Sequence, residues 1–239
     1  MPKLLSAPQH HDRIQCSSEN LVLYKQSPTK FLASIVTCDE SWVYHFDPLS
    51  QQEAKEWTKK GEYSGARLRQ QQSAGKVLLS VFWDEKGVLL TDYLEKGHTV
   101  TGLYYVNLIE KLRQAIKNKR RGKLSSGVHL LHDNAPSHTS HVAVTAIHAA
   151  GFKTLNHSPY SPDLAPSDYH LFSHLKRYLR GKVFKTDAVF LWRAILSRNQ
   201  FLSILVQLVH CQSAGSVQLT CMGHTLNNCQ QMFFESFLS

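Results

Sequence analysis

The sequence predicts a mixed-sheet α/β domain, and three observations carry that prediction. The first half holds β-rich runs separated only by turns or a polar loop, as antiparallel strands are. The second half alternates short apolar runs with amphipathic helical segments, the pattern of strands joined through helices. The chain has 239 residues, 42% hydrophobic and 19% charged, enough to bury the core of one domain, or of one domain with an appendage.

Residues 1–30 are polar, with a weakly helical patch in "SENLVLYKQSPTKFL", and read as a lead-in segment. An apolar strand is expected from Phe31 to Thr37, ending in an acid at Asp39. A second strand is expected from Ser41 to Phe46, with Trp42, Tyr44 and Phe46 in period-two spacing. Residues 48–74 are rich in Gln, Lys and Arg without an apolar period, which predicts a long surface loop. "KVLLSVFWDEKGVLLTDYL" reads as a hairpin turning at Asp84-Glu85-Lys86-Gly87.

"LYYVNLIEKLRQAIKNKR" is a helix with Val106, Ile109, Leu112 and Ile116 on one stripe. Lys117, Lys119, Arg120, Arg121 and Lys123 crowd its end, where cations suit the helix dipole. Val128–Leu131 is a short strand running into His132-Asp133-Asn134. "SHTSHVAVTAIHAAG" is a helix stopped by Gly151, and "FKTLNHS" a short strand. "PYSPDLAPSD" is a proline-stiffened loop before a helix that begins near Asp168, with Ser167 or Asp168 as N-cap and Gly181 at its end.

Composition narrows the function. A net charge of +9 and a pI near 9.3 suit a polyanionic partner without saying which. Five scattered cysteines predict free thiols in a reducing compartment. "MPKLLSAPQHHDR" lacks the apolar core of a secretory signal, and no run of apolar residues could span a bilayer, so a soluble intracellular chain with no membrane partner is expected. A serine hydrolase built on Ser137 and His138 is a poor fit, because no G-x-S-x-G elbow is present.

Three carboxylates occupy comparable places: Asp39 after the first strand, Asp133 after the strand at 128–131, and Asp168 at a helix start. Side chains at the carboxyl ends of strands in an open α/β sheet converge on one crevice. Neighbouring first and fourth strands would bring Asp39 and Asp133 within reach of one ion. A set of carboxylates suits Mg²⁺ or Mn²⁺, not zinc. Taken singly, each acid also reads as an ordinary turn former or helix cap.

The motifs go further. "HDNAPSHT" and "YSPDLAPSDYHLF" strongly resemble the catalytic domain of mariner-family DNA transposases, and "IVTCDESWVYHFDP" resembles that family's first acidic motif. The 34 residues between Asp133 and Asp168 fit its spacing, and the likeness runs from about Pro2 to Lys185. The resemblance implies an RNase H-like fold, shared with retroviral integrases, over residues 31–186. It implies that Asp39, Asp133 and Asp168 are catalytic and bind two Mg²⁺ (or Mn²⁺) ions. Such ions would serve hydrolysis at a transposon end and then attack of the freed 3′ hydroxyl on target DNA. DNA is the implied partner, a homodimer the implied assembly and the nucleus the implied location, with no small-molecule substrate.

Other residues receive expected roles. His132 and Asn134 would orient the second acid or contact a phosphate, and Glu40 would support the site. Residues 48–74 lie where the family has a clamp loop, with Lys55, Lys59, Lys60, Arg67 and Arg69 facing DNA or a partner subunit, or simply solvent. In "KNKRRGK", Lys119, Arg120 and Arg121 would contact phosphates or form part of a nuclear address.

Two departures from the family are visible. Only about thirty residues precede the first catalytic strand, where the family has paired helix-turn-helix modules, so DNA binding is expected to be largely non-specific. From 187 to 239 the charged helix usual in the family is replaced by a stretch whose only charges after Ala188 are Arg193, Arg198 and Glu235, as a shifted reading frame would give. A truncated, impaired enzyme is therefore expected, with a catalytically silent DNA-binding or dimerising relic as the alternative. Cys38 stands where the family usually has glycine, and Cys221, His224 and Cys229 only loosely suggest a zinc knuckle.

Overall fold

The structure is a computed structural model, described here for residues 5–49 and 71–183. The segment from 50 to 70, with most of the expected clamp loop and its Lys55, Lys59, Lys60, Arg67 and Arg69, lies outside the described residues, as does the tail expected at 187–239.

Five strands form one sheet in the order β3-β2-β1-β4-β5. β1 (Ile35–Tyr44), β2 (Lys76–Asp84) and β3 (Gly87–Leu94) are antiparallel neighbours. β4 (Val128–Leu131) and β5 (Phe152–Thr154) continue the sheet in parallel with β1. The expected mixed sheet, with its first and fourth strands adjacent, is therefore present.

The helices cover both faces. α1 (Ala7–Gln26) and α2 (Pro28–Ser34) precede the sheet, and α3 (Gly102–Lys119) with the one-turn α4 (Lys123–Ser126) links β3 to β4. α5 (Pro136–Thr139) and α6 (His141–Ala149) link β4 to β5. A 3-10 turn at Pro162–Leu164 and a π-helical segment at Ser167–Phe172 lead into α7 (Ser173–Leu179).

Strand alternation decides which residue meets which helix. Val36 and Cys38 of β1 pack with Tyr105, Leu108, Ile109, Leu112 and Ile116 of α3 and with Ala143 and Ile147 of α6. Val43, on the opposite parity, packs with Leu79 and Val81 of β2 and with Leu171, Phe172, Leu175 and Leu179. Phe31, Leu131 and Leu155 close a third apolar cluster under α2.

Several local expectations change. Phe31 lies in α2, and β1 is one ten-residue strand that runs through Asp39 instead of stopping there. β2 supplies an unbroken antiparallel partner from Thr37↔Trp83 to Tyr44↔Lys76, so the ladder outweighs the turn preference of Asp39. The lead-in is mostly helical from Ala7, with Ser6 and Gln9 forming a capping box. The expected helix after β4 is split at Ser140, whose hydroxyl accepts from the Ala143 amide and starts α6. The short strand expected after Gly151, "FKTLNHS", is only three residues long, Phe152–Thr154. On α3 the buried stripe is centred on Tyr105 and Leu108, with Val106 half-buried at its edge.

Candidate active site

Asp39, Asp133 and Asp168 all line one cleft of about 370 Å³. Asp39 shares the β1 parity of Val43 and so lies on the sheet face that the π-helical segment and α7 cover. Asp133 is two residues past the end of β4, the strand beside β1. Asp168 sits on the π-helical turn, its amide donating to the Ala165 carbonyl at 3.0 Å. Neither expected N-cap acts as one. Pro166 occupies that position, and the Ser167 hydroxyl instead accepts from Trp83 Nε1 at 3.0 Å. That indole comes from the residue at the register shift between β2 and β3, and such irregularities commonly re-aim side chains beside sites.

The carboxylates are not electrostatically equal. Asp39 Oδ1 accepts from the Glu40 amide at 2.8 Å, while Oδ2 is buried with no hydrogen-bond partner among the described residues. Burial, and then the charge of Asp168, push the Asp39 carboxyl up to about 8. Asp168 is also raised, first by burial and further by Asp133, with Lys176 opposing. Asp133 is lowered, chiefly by the hydrogen bond from His138.

His138, from α5, is the residue the sequence reading undervalued. Its Nδ1 lies 2.7 Å from Asp133 Oδ1, and its Nε2 lies 3.3 Å from Glu40 Oε1, an ion-pair distance without hydrogen-bond alignment. Burial pulls its pKa down, but the two carboxylates outweigh that and raise it to about 9. The ring is 1% exposed, with its centroid 4.2 Å from that of Tyr105 in a tilted contact and 5.2 Å from that of His132 in an edge-on one. Its signal in the sequence was its place five residues after Asp133, in the single turn of α5.

His132 is buried, with neither ring nitrogen bonded among the described residues, and burial lowers it to about 4. It packs against His138 and Tyr105 and lines the same cleft as the three acids. Asn134 donates to the His157 carbonyl at 2.7 Å, so it braces the loop opposite. The same loop is held by α1: Arg13 grips Asp163 with two bonds of 3.1 and 2.8 Å, and Asn20 donates to the Asn156 carbonyl. The segment read as a lead-in is thus a strap over the loop that carries Asp168. Tyr160 in this loop is the one non-glycine with a positive φ (55°) among the described residues, and backbone strain of this kind concentrates at functional sites.

The basic cluster after α3 divides. Arg120 is bidentate on buried Asp84, which Lys123 also meets at 3.0 Å, and Lys119 donates to the Val88 and Leu89 carbonyls. Arg121 is exposed. Of the three residues expected to touch phosphate, two are thus tied to the protein's own backbone and carboxylate.

The donor set suits a hard divalent cation: three carboxylates around one cleft, with a buried oxygen lacking a partner and an Asp39 pKa raised first by burial and then by the charge of Asp168. As they stand, however, no three His, Cys, Asp or Glu side chains among the described residues are gathered closely enough to hold an ion.

Comparison with known proteins places this geometry. A family profile described as "Transposase (partial DDE domain)" matches residues 47–126, a stretch between Asp39 and Asp133. Mariner Mos1 transposase of Drosophila mauritiana is 34% identical over 166 residues, covering 69% of this chain and 47% of the relative. The human histone-lysine N-methyltransferase SETMAR is 30% identical over 185 residues, covering 77% of this chain and 26% of the relative. This chain therefore spans about half of the first relative's length and about a quarter of the second's.

Among solved structures, the Mos1 catalytic domain superposes with a TM-score of 0.71 at 26% identity, covering 99% of this chain and 98% of that one. The Mos1 paired-end complex with Mn gives 0.77 at 30% identity, covering 88% and 61%. The pre-cleavage Mos1 transpososome gives 0.79 at 27% identity, covering 99% and 65%. The fold is RNase H-like, and with its acid-lined cleft it defines a DDE-type transposase domain. Within that class, the chain carries a mariner transposase catalytic domain.

Proposed function

We propose that this domain cleaves DNA phosphodiesters and joins DNA strands with the help of divalent cations, Mg²⁺ or Mn²⁺, held by Asp39, Asp133 and Asp168. The observation that carries the reading is that these three acids, from β1, the exit of β4 and the π-helical turn, line one cleft. Mos1 structures with Mn and with Mg support divalent-metal use in that relative. Cations bound there would activate water or a 3′ hydroxyl and stabilise charge on the phosphorus oxygens, two ions about 3.5–4 Å apart being the usual arrangement.

The protein's own residues prepare that chemistry. His138 keeps Asp133 ionised and oriented. Asp39 Oδ2, deprived of hydrogen-bond partners, is a carboxylate oxygen whose burial is relieved when positive charge arrives. Trp83 on Ser167 and Arg13 on Asp163 fix the two ends of the segment leading to Asp168. As further parts of the proposal, the chain works in the nucleus and as a homodimer. Mos1 paired-end complexes support pairing in that relative.

The test is plasmid nicking by the purified chain with Mg²⁺ or Mn²⁺, compared with Asp133→Ala. Nicking that needs the cation and disappears in the variant supports the proposal, and equal nicking by both proteins would sink it. A second reading, a catalytically silent DNA-binding or dimerising relic, draws on the ungathered state of the acids. Duplex binding without nicking under any divalent cation would favour it.

A further inference from the structure

The cation cluster at the end of α3 has a half that the fold does not use. Lys119, Arg120 and Lys123 are spent on backbone carbonyls and on Asp84. Arg113, Lys117 and Arg121 are exposed, and no carboxylate pairs with them among the described residues. Arg113 and Lys117 stand one turn apart on α3, about 6 Å along its axis, and Arg121 follows in the turn just past the helix end.

These three line a cleft of about 330 Å³ in which no acidic residue takes part. It adjoins a second of about 460 Å³ that adds Lys30 and Lys86, and Arg120, Arg121 and Gly122 border both. The acids bordering the second cleft are Asp84, already neutralised by Arg120 and Lys123, and Glu85. Neither cleft shares a lining residue with the one holding Asp39, Asp133 and Asp168. The basic clefts lie toward the start of β1, where Lys123 holds the Ala33 and Ile35 carbonyls, whereas Asp133 leaves the opposite end of the parallel strands.

We propose that Arg113, Lys117 and Arg121 form a second docking surface for double-stranded DNA, engaging its phosphate backbone at the sheet end away from the acids. The inference rests on the reading that the chain works on DNA. Double-stranded DNA carries one charge per about 1.7 Å of axis, so three cations lining one cleft can meet phosphates whatever the sequence. A single strand is the weaker fit, since the cleft lined by Arg113, Lys117, Arg120 and Arg121 has no aromatic side chain on which a base could stack. A nuclear-import receptor is a weaker fit too. "KNKRRGK" is helix and turn with three of its cations bonded inward, not an extended peptide open to be read.

The experiment measures binding of the full chain to an arbitrary duplex across a salt titration without divalent cation, for the parent and the R113Q/K117Q/R121Q triple variant. Each phosphate contact contributes about −0.9 to the slope of log K against log salt, so the triple variant should lose about 2.7 of that slope and bind more weakly, with unchanged thermal unfolding. An unchanged slope and affinity in the triple variant overturns the docking surface even where nicking is observed. A triple variant that binds DNA normally but no longer accumulates in nuclei overturns it in favour of an import address. Weakened binding in the triple variant, with nicking never seen, upholds the surface and defeats only the cleavage proposal.

Discussion

Asp39, His138 and Asp84 are three buried or half-buried ionisable groups, and the fold treats each differently. Asp39 has neighbours of its own sign, so replacing it with Asn removes a repulsion. The expected result of Asp39→Asn is a metal-free protein at least as stable as the parent, whose thermal midpoint no longer rises on addition of Mg²⁺ or Mn²⁺. A calorimetric scan with and without cation checks both halves. His138 is the positive counterpart of two carboxylates, and His138→Ala leaves Asp133 and Glu40 facing each other across a hole. A loss of about 1–3 kcal/mol in urea unfolding is expected.

Asp84 lies 1% exposed between Arg120 and Lys123 and stitches the β2–β3 turn to the end of α3. Burial pushes its carboxyl up, but the two cations win and hold it below its usual range. Its contribution to stability is therefore complete above the unfolded carboxylate value of about 3.9 and is lost as pH falls through the lower folded value. Asp84→Ala should cost about 3–5 kcal/mol at neutral pH, because two cations stay behind without their acid. Denaturant titrations at neutral pH and at about pH 3 should show this difference shrinking with acid.

At the scale of elements, α1 and the loop from 156 to 164 behave as one unit. The Arg13–Asp163 pair joins residues far apart in sequence, with Arg13 only 11% exposed at its side chain, and Asn156 is tied to both Glu19 and Asn20. Arg13→Ala should cost only about 1 kcal/mol of global stability, since Asp163 is partly solvated. Hydrogen exchange in the loop and in the segment carrying Asp168 should nevertheless accelerate, because the strap acts locally. Unaltered exchange there would show that α1 merely lies against the loop. The split between α5 and α6 has the same local character: Ser140→Ala removes the cap of α6 and should destabilise by about 1 kcal/mol.

At the scale of the molecule, charge and cleft are segregated. The acids occupy the end of the sheet where β4 exits, and the unused cations of α3 lie toward the other end. If cleavage follows the proposal, Asp133→Ala should lower the divalent-dependent nicking rate by on the order of 10³, several kcal/mol of lost charge stabilisation, while duplex affinity changes little. Among the described residues no helix is long and apolar enough to cross a membrane.

The residue pattern by itself determined the mixed sheet, the hairpin, α3, β4 and the candidacy of the three aspartates. Each rests on short-range regularities: alternation, helical stripes, turn residues and long motifs. Tertiary structure decided that β1 runs straight through Asp39, because only a partner strand folded against it can outbid a local turn preference. It decided that Ser167 serves Trp83 instead of capping a helix, and that Arg120 belongs to Asp84. It also made a strap of the lead-in and a buried bridge of His138. A buried charge draws its partner from whatever the fold places opposite, across as many as 150 residues for Arg13 and Asp163, and no local pattern encodes that choice.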